Sequence, residues 1–243
     1  MDTTLRERWE TLRARVDDAC RAAGRDPGEV RVLPVSKTFG PDLIREALDL
    51  GLHRFGENKV QEIKDKAAVF GSQEPAPEID WVMIGHLQTN KAGVVARLAA
   101  EVQSLDRPKL AAALDRHLRA ENRAIDVLVQ IKTSDEPSKY GLEPDLLLPF
   151  LDELAGYPTL RVRGLMTLAI NTTDPQRVRG CFARLRRLRD TAAEAGHDLP
   201  RLSMGMSGDF ALAITEGATE VRIGTSLFGA RPYPDSYYWP EKN

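Results

Sequence analysis

The stretch "VRVLPVSKTFGPDLIREALDLG", residues 30–51, joins an apolar run to an amphipathic one. Its first part, residues 30–36, is mostly β-branched or apolar, which is typical of a buried strand. Pro41 suits the first turn of a helix, and Gly51 suits a helix C-terminal cap. The stretch therefore predicts a strand followed by a helix, with Lys37 at the junction between them.

The same alternation of strands with amphipathic segments continues along the chain, as expected for βα units in a parallel sheet. The predicted strands lie at residues 30–36, 53–57, 81–85, 102–106, 126–132, 162–169, 201–206 and 220–225. Eight such units over about 200 residues fit the lower size range of a (β/α)8 TIM barrel, a fold of the α/β class. An open, doubly wound sheet is the alternative, because the number of strands does not prove closure.

The sequence contains no internal repeat and no low-complexity linker that would divide it. Residues 1–243 are therefore expected to form one domain. Residues 1–25 are predicted to add an N-terminal helix, and residues 174–196 a long helix with Asp174 as its N-cap. Residues 232–243 are predicted to be a polar, proline-broken tail with surface or barrel-rim tyrosines at Tyr233, Tyr237 and Tyr238.

The composition disfavours several classes of function. A net charge of -2 over 243 residues gives no general attraction to nucleic acid or to anionic membranes. The arginine-rich run at 184–189 is predicted to be a solvated helix face, because apolar residues recur within it at helical spacing. No apolar run reaches the length of a membrane span, and the charged N-terminus is unlike a signal peptide. A cytoplasmic location is therefore expected.

The cysteines and histidines indicate neither a disulfide nor a metal site. Cys20 and Cys181 are far apart, each inside a helical pattern, which predicts structural free thiols. The four histidines show no short ligand spacing, so no metal ion is predicted.

In a TIM barrel the functional residues lie at the carboxyl ends of the strands. The polar residues at these ends are therefore the candidates for a site. They are Lys37, Thr38, Glu57, Asn58, His86, Gln88, Asp106, Ser134, Asn171, Ser207, Arg222 and Thr225.

Lys37 has two interpretations when its stretch is considered alone. It can be a solvated lysine whose stem packs on apolar neighbours. It can also be a nucleophilic amine that forms a Schiff base with a carbonyl, which requires a partly desolvated site. The stretch itself does not decide between them.

Glycine and hydroxyl residues recur at the ends of the last two strands. "MGMSGDF", residues 204–210, and "RIGTSLFG", residues 222–229, each precede a predicted helix, where backbone amides and hydroxyls bind anions. Phosphate sites of TIM barrels often occupy these two loops, although such glycines can simply form tight turns. An amine on the first strand and a phosphate site on the last two together suggest pyridoxal 5'-phosphate as ligand.

Several segments resemble, in order, the motifs of the pyridoxal phosphate homeostasis protein family, whose fold is similar to the N-terminal barrel of alanine racemase. They are "VLPVSKTFG", "RFGENKVQE", "WVMIGHLQTNK", "RGLMTLA", "INTT" and "SMGMSGDFALAITEGATEVRIGTSLFGAR". The resemblance extends from about residue 28 to 231. It departs from the family at "SGDF", where Gly208 stands in place of an acidic residue found in many members.

The resemblance implies a role for each matching position. It implies that Lys37 forms the internal aldimine with pyridoxal phosphate and that Arg222 faces the pyridine nitrogen. It places the phosphate at Ser207, Gly224 and Thr225, and it places Asn58 and His86 near the cofactor.

Arg222 bears on the chemistry independently of the resemblance. A guanidinium only donates hydrogen bonds, so beside the ring nitrogen it would keep the pyridine unprotonated. That environment disfavours transaminase-like carbanion chemistry and leaves racemase chemistry or plain binding. The alternative for Arg222 is a salt bridge inside the barrel.

An alanine racemase uses a second acid–base group, a tyrosine from a separate C-terminal β domain, and no such domain follows Arg231 in this sequence. The sequence is therefore interpreted as a monomeric carrier or buffer of pyridoxal phosphate, without turnover, which exchanges the cofactor with pyridoxal phosphate-dependent apoenzymes. A racemase with Lys37 on one face and His86 or water on the other is the first alternative. A Schiff-base aldolase is the second.

Overall fold

The computed structural model describes residues 3–136 and 139–230. It contains an eight-stranded parallel sheet in the order β1-β8-β7-β6-β5-β4-β3-β2. The strands are β1 Arg31–Pro34, β2 Arg54–Glu57, β3 Asp80–Met83, β4 Ala99–Leu105, β5 Ile125–Gln130, β6 Leu160–Met166, β7 Arg201–Ser203 and β8 Glu220–Ile223. Each overlaps one predicted strand. Most end earlier than predicted, because the polar strand-end residues lie in loops.

The sheet closes into a barrel between its two outermost strands. Val35 and Gly56, just after β1 and within β2, form a parallel bridge, and the Ser36 amide donates to the Gly56 carbonyl at 3.1 Å. On its other side β1 pairs with β8, with Leu33 opposite Arg222. The TIM barrel prediction is confirmed, and the open-sheet alternative is wrong.

The helices surround the barrel, as the βα pattern predicts. They are α1 Leu5–Ala22, α2 Pro41–Leu48, α3 Val60–Gly71, α4 Ala92–Leu98, α5 Pro108–Ala120, α6 Leu147–Leu154, α7 Pro175–Glu194, α8 Phe210–Thr215 and α9 Thr225–Phe228. The predicted ends are confirmed at α7, where the Asp174 carboxylate accepts the Gln176 amide at 2.9 Å and Gly196 follows with φ +93°. Gly51 likewise follows α2 with φ +78°.

The extra helix α1 packs on the side of the barrel formed by the last strands, against the helices that follow β7 and β8. It buries Leu12, Val16 and Cys20, and it contacts α8 and α9. The Arg8 side chain donates to the Leu227 carbonyl at 2.7 Å. α1 therefore supports the segment after β8, where a phosphate site is predicted.

The predictions of buried thiols and of a solvated arginine face are confirmed. Cys20 and Cys181 are buried and free. On α7, Phe182 and Leu185 are buried, whereas Arg184 and Arg187 are exposed. None of the helices that the structure describes is long and apolar enough to cross a membrane. The cytoplasmic location stays a prediction, and residues 232–243 lie outside the described residues.

The amino-terminal end of the barrel is closed by a buried charged cluster. The Arg201 guanidinium contacts Glu101 at 2.7 and 2.9 Å and Glu220 at 3.2 Å. Gln103 donates to Glu101 and Glu220, and it accepts the Ser203 hydroxyl. Burial acts to raise the pKa of Glu101, but its arginine partners outweigh burial and hold that pKa below its ordinary value.

Candidate functional site

A cavity of about 560 Å³ opens at the carboxyl ends of the strands. Its size is in the range of small-molecule sites, roughly 300–1,000 Å³. Every residue predicted to bind the cofactor lines it, namely Lys37, Asn58, His86, Ser207, Arg222, Gly224 and Thr225. The barrel thus brings together side chains from both ends of the sequence, as expected when first and last strands are neighbours.

Lys37 is half-buried and lines this cavity directly after β1. The residue before it, Ser36, is fully buried, and the residue after it, Thr38, has φ +71°. A positive φ is unusual for a β-branched residue and strains the backbone. The position inside a cavity favours the interpretation of Lys37 as a reactive amine over that of a solvated surface lysine.

Arg222 on β8 is only 3% exposed and is held from two sides. Its guanidinium donates to the Ser203 hydroxyl at 2.9 Å and to the Thr167 carbonyl at 2.7 Å. Burial lowers the pKa of Arg222 to about 10, so the group is still a cation at neutral pH. Among the described residues no carboxylate forms a salt bridge with it, although the charges of Glu220 and Asp209 partly counteract the effect of burial on its pKa.

The loops after β7 and β8 meet at one wall of the cavity. The Ser226 amide donates to the Ser207 hydroxyl at 3.4 Å, which joins the two loops. Gly205 serves the turn, because it has φ +92° and a Cβ there would lie 2.6 Å from that of Ala213. A Cβ at Gly208, in contrast, would have no atom within 4 Å of it among the described residues, so there is free space beside the backbone at "SGDF".

His86 and Tyr140 also line the cavity. Their rings stack with centroids 3.9 Å apart and an interplanar angle of 17°. Burial lowers the pKa of His86, although Asp106, 3.7 Å from Nδ1, partly counteracts it. The environment therefore favours the neutral imidazole.

Sequence reasoning missed Tyr140 and Lys139, which line the cavity from the loop after β5. The Tyr140 carbonyl accepts the Gln130 side-chain amide at 2.8 Å, and Lys139 donates to the Ala169 carbonyl. These contacts hold Lys139 and Tyr140 near the ends of β5 and β6. The sequence places both residues well beyond the predicted strand, so it contains no signal of these contacts.

Several other strand-end candidates do not line this cavity. Gln88 faces a smaller neighbouring cavity of about 330 Å³, and Ser134 a separate one beside α7. Asp106 supports His86 from outside, and Glu57 is fully buried behind the barrel wall. The remaining candidates outside the cavity lining are Thr38 and Asn171.

Glu57 contacts the Ser36 hydroxyl at 2.5 Å and the Lys66 ammonium at 2.6 Å through the same oxygen, Oε1. Its other oxygen, Oε2, is buried without a hydrogen-bond partner among the described residues. Burial outweighs the attraction of Lys66 and raises the pKa of Glu57 to about 7.

This shift predicts a pH dependence of stability. Because the folded chain holds the Glu57 proton more tightly than the unfolded chain, the contribution is complete below about pH 4.5 and is lost as pH rises through about 7. Between pH 5 and pH 7 the free energy of unfolding, measured with denaturant, should fall more for the wild type than for Glu57→Gln. The exposed Glu46→Gln variant is the control. Equal pH dependence in wild type and Glu57→Gln would contradict the shift.

The family model for the alanine racemase N-terminal domain matches residues 8–232. The chain is 40% identical to the pyridoxal phosphate homeostasis protein of Aquifex aeolicus, over 93% of this chain and 98% of that one. It is also 40% identical to the protein of the same name from Pseudomonas aeruginosa, over 95% and 97% of the two chains.

Solved structures agree with this assignment. PipY of Synechococcus elongatus, solved with PLP bound, superposes with a TM-score of 0.79 at 33% identity, covering 93% of this chain and all of that one. An alanine racemase of Clostridium difficile gives 0.69 at 12% identity, over 92% of this chain and 58% of that one, which shows the fold alone. The chain belongs to the pyridoxal phosphate homeostasis protein family, a branch of the alanine racemase N-terminal domain family.

Proposed function

We propose that this chain binds pyridoxal 5'-phosphate at Lys37 and serves as a carrier or buffer of that cofactor, without turnover. The observation that carries the proposal is the shared cavity of a half-buried amine, a buried cation and a hydroxyl-bearing wall. The proposed binding residues are Lys37, Asn58, His86, Ser207, Arg222, Gly224 and Thr225.

The residues present fit such a ligand. Pyridoxal phosphate supplies an aldehyde that condenses with a lysine amine, a ring nitrogen and a phosphate. Lys37 provides the amine, and the Ser207 and Thr225 hydroxyls with the open backbone at Gly208 provide donors for an anion. Arg222 can only donate, so a ring nitrogen facing it stays an acceptor.

A carrier needs a site that holds the aldehyde away from other amines and can release it. Lys139 and Tyr140 line the cavity and are hydrogen-bonded near the strand ends, while the Tyr140 side chain is 54% exposed. The recipients proposed are pyridoxal phosphate-dependent apoenzymes, and the carrier is proposed to act as a monomer made of one domain. The homeostasis proteins among the relatives support this role over an enzymatic one.

A racemase is the second candidate, because His86 lines the same cavity as Lys37 and burial lowers its pKa, which favours the neutral imidazole. A racemase needs one proton-transfer group on each face of its substrate. The Schiff-base aldolase alternative has no comparable support. The D-threonine aldolase of Filomicrobium marinum, at 20% identity, is similar in fold alone.

Chiral chromatography tests the absence of turnover. Protein loaded with pyridoxal phosphate is incubated with L-alanine, D-alanine and other amino acids, and the enantiomers are separated over time. The carrier proposal predicts no interconversion above a protein-free control with free cofactor. Interconversion that disappears in His86→Phe would instead establish the racemase.

A further inference from the structure

Behind the cavity wall lies a charged cluster, which we define as Glu57, Glu62 and Lys66. Glu57 and Lys66 are buried, and Glu62 is half-buried. Lys66 on α3 is 6% exposed, and its ammonium reaches three acceptors. They are the Glu57 carboxylate at 2.6 Å, the Ser36 carbonyl at 2.8 Å and the Glu62 carboxylate at 3.2 Å. An ammonium has three protons, so all its donors are satisfied here.

Lys66 and Glu62 each make one contact with the backbone beside Lys37. Lys66 binds the carbonyl of Ser36, the residue before Lys37. Glu62 accepts the amide of Thr38, the residue after Lys37, at 2.7 Å. Because Glu62 also pairs with Lys66, one cluster holds both neighbouring peptide groups.

The backbone conformation of Thr38 requires such stabilising contacts. Its φ of +71° is strained for a threonine, and its Oγ1 is buried without a partner among the described residues. A strained residue persists only where its surroundings fix it, and such strain concentrates at functional sites. The charge-assisted bond from the Thr38 amide to Glu62 is the contact that offsets it.

We propose that Lys66 and Glu62 are positioning residues: they fix the strained backbone around Lys37 so that its amine projects into the cavity. The inference rests on the proposed function of Lys37. The cluster binds the backbone of Ser36 and Thr38, the two neighbours of Lys37, and it acts on Lys37 through these two residues. Loss of Glu62 should therefore release Thr38 and weaken retention of pyridoxal phosphate.

The test compares Glu62→Ala with Glu62→Gln, whose amide oxygen still accepts the Thr38 amide, and with Asp65→Ala. Asp65 lies on the same helix and contacts Gln61 on that helix. Lys66→Met is a further variant, but it leaves Glu57 without its cation and can fail to fold. Two readouts are made: hydrogen exchange of the Thr38 amide in cofactor-free protein, and the dissociation rate of pyridoxal phosphate.

We expect exchange and dissociation both to be about tenfold or more faster in Glu62→Ala, in line with loss of a bond to a charged group. Both rates should be intermediate in Glu62→Gln, which keeps an acceptor but loses the charge, and close to wild type in Asp65→Ala. Unchanged exchange, or faster exchange with unchanged dissociation, would overturn the inference. If the wild type itself retained no pyridoxal phosphate, the proposed function would fail instead, and exchange alone would still report on the cluster.

Discussion

Lys37→Ala is expected to remain colourless when pyridoxal phosphate is added, whereas the wild type acquires a visible absorbance band. The band requires an amine that condenses with the aldehyde, and Lys37 is the lysine that follows β1 into the cavity. Alanine leaves the cavity wall in place, so residual binding through Arg222 and the phosphate wall is non-covalent. Absorbance titration followed by gel filtration measures both the band and the retained cofactor.

Lys139 provides the matched control, because it is a second lysine in the lining of the same cavity. Lys139→Met should keep the band at neutral pH, since its ammonium is engaged by the Ala169 carbonyl and Glu136. A band lost in Lys139→Met and kept in Lys37→Ala would show that Lys139 supplies the amine. The carrier proposal would then need a different attachment point.

Glu101→Ala is expected to lower the free energy of unfolding by about 3 kcal/mol, the lower end of the range for breaking a buried ion pair. The change removes the 2.7 and 2.9 Å contacts with Arg201, whose side chain is largely buried. We expect a loss of stability at the lower end of that range because Glu220 remains 3.2 Å from the Arg201 guanidinium. Urea unfolding followed by circular dichroism gives the difference.

Asp126→Ala is the control for this prediction. Asp126 pairs with Arg161 at 2.7 Å near the surface, where an ion pair contributes about 0–1 kcal/mol. Similar losses in the two variants would mean that burial does not distinguish the pairs. In that case the cluster at the amino-terminal end would not stabilise the barrel in the way described.

The order and number of strands could be predicted because each strand is an apolar run ended by a polar residue. "VRVLPVS" and "DVLVQIK" differ from the amphipathic segments around them, and parallel pairing requires crossovers of the length present. The strand pattern favoured closure but did not prove it. The contacts that join the outermost strands, the bridge between Val35 and Gly56 and the Ser36 amide bond to the Gly56 carbonyl, are encoded by no local pattern.

Some residues of the cavity lining could likewise be predicted from the sequence, and others could not. Lys37, Ser207 and Arg222 could be predicted because they lie at or near strand ends, which the fold itself brings together. Tyr140 enters by a loop that folds back, and only tertiary hydrogen bonds determine that path. Lys66 was missed because Glu62 and Lys66 have the spacing of an ordinary solvated helix pair, whereas the lysine is in fact buried against the barrel.

Borohydride reduction of the protein with pyridoxal phosphate, followed by peptide mapping, tests the central claim most directly. Reduction converts a Schiff base into a stable secondary amine, so the modified residue can be read from the mass of its peptide. We predict a single pyridoxyl phosphate adduct, on Lys37. An adduct spread over several surface lysines, with Lys37 unmodified, would contradict that assignment.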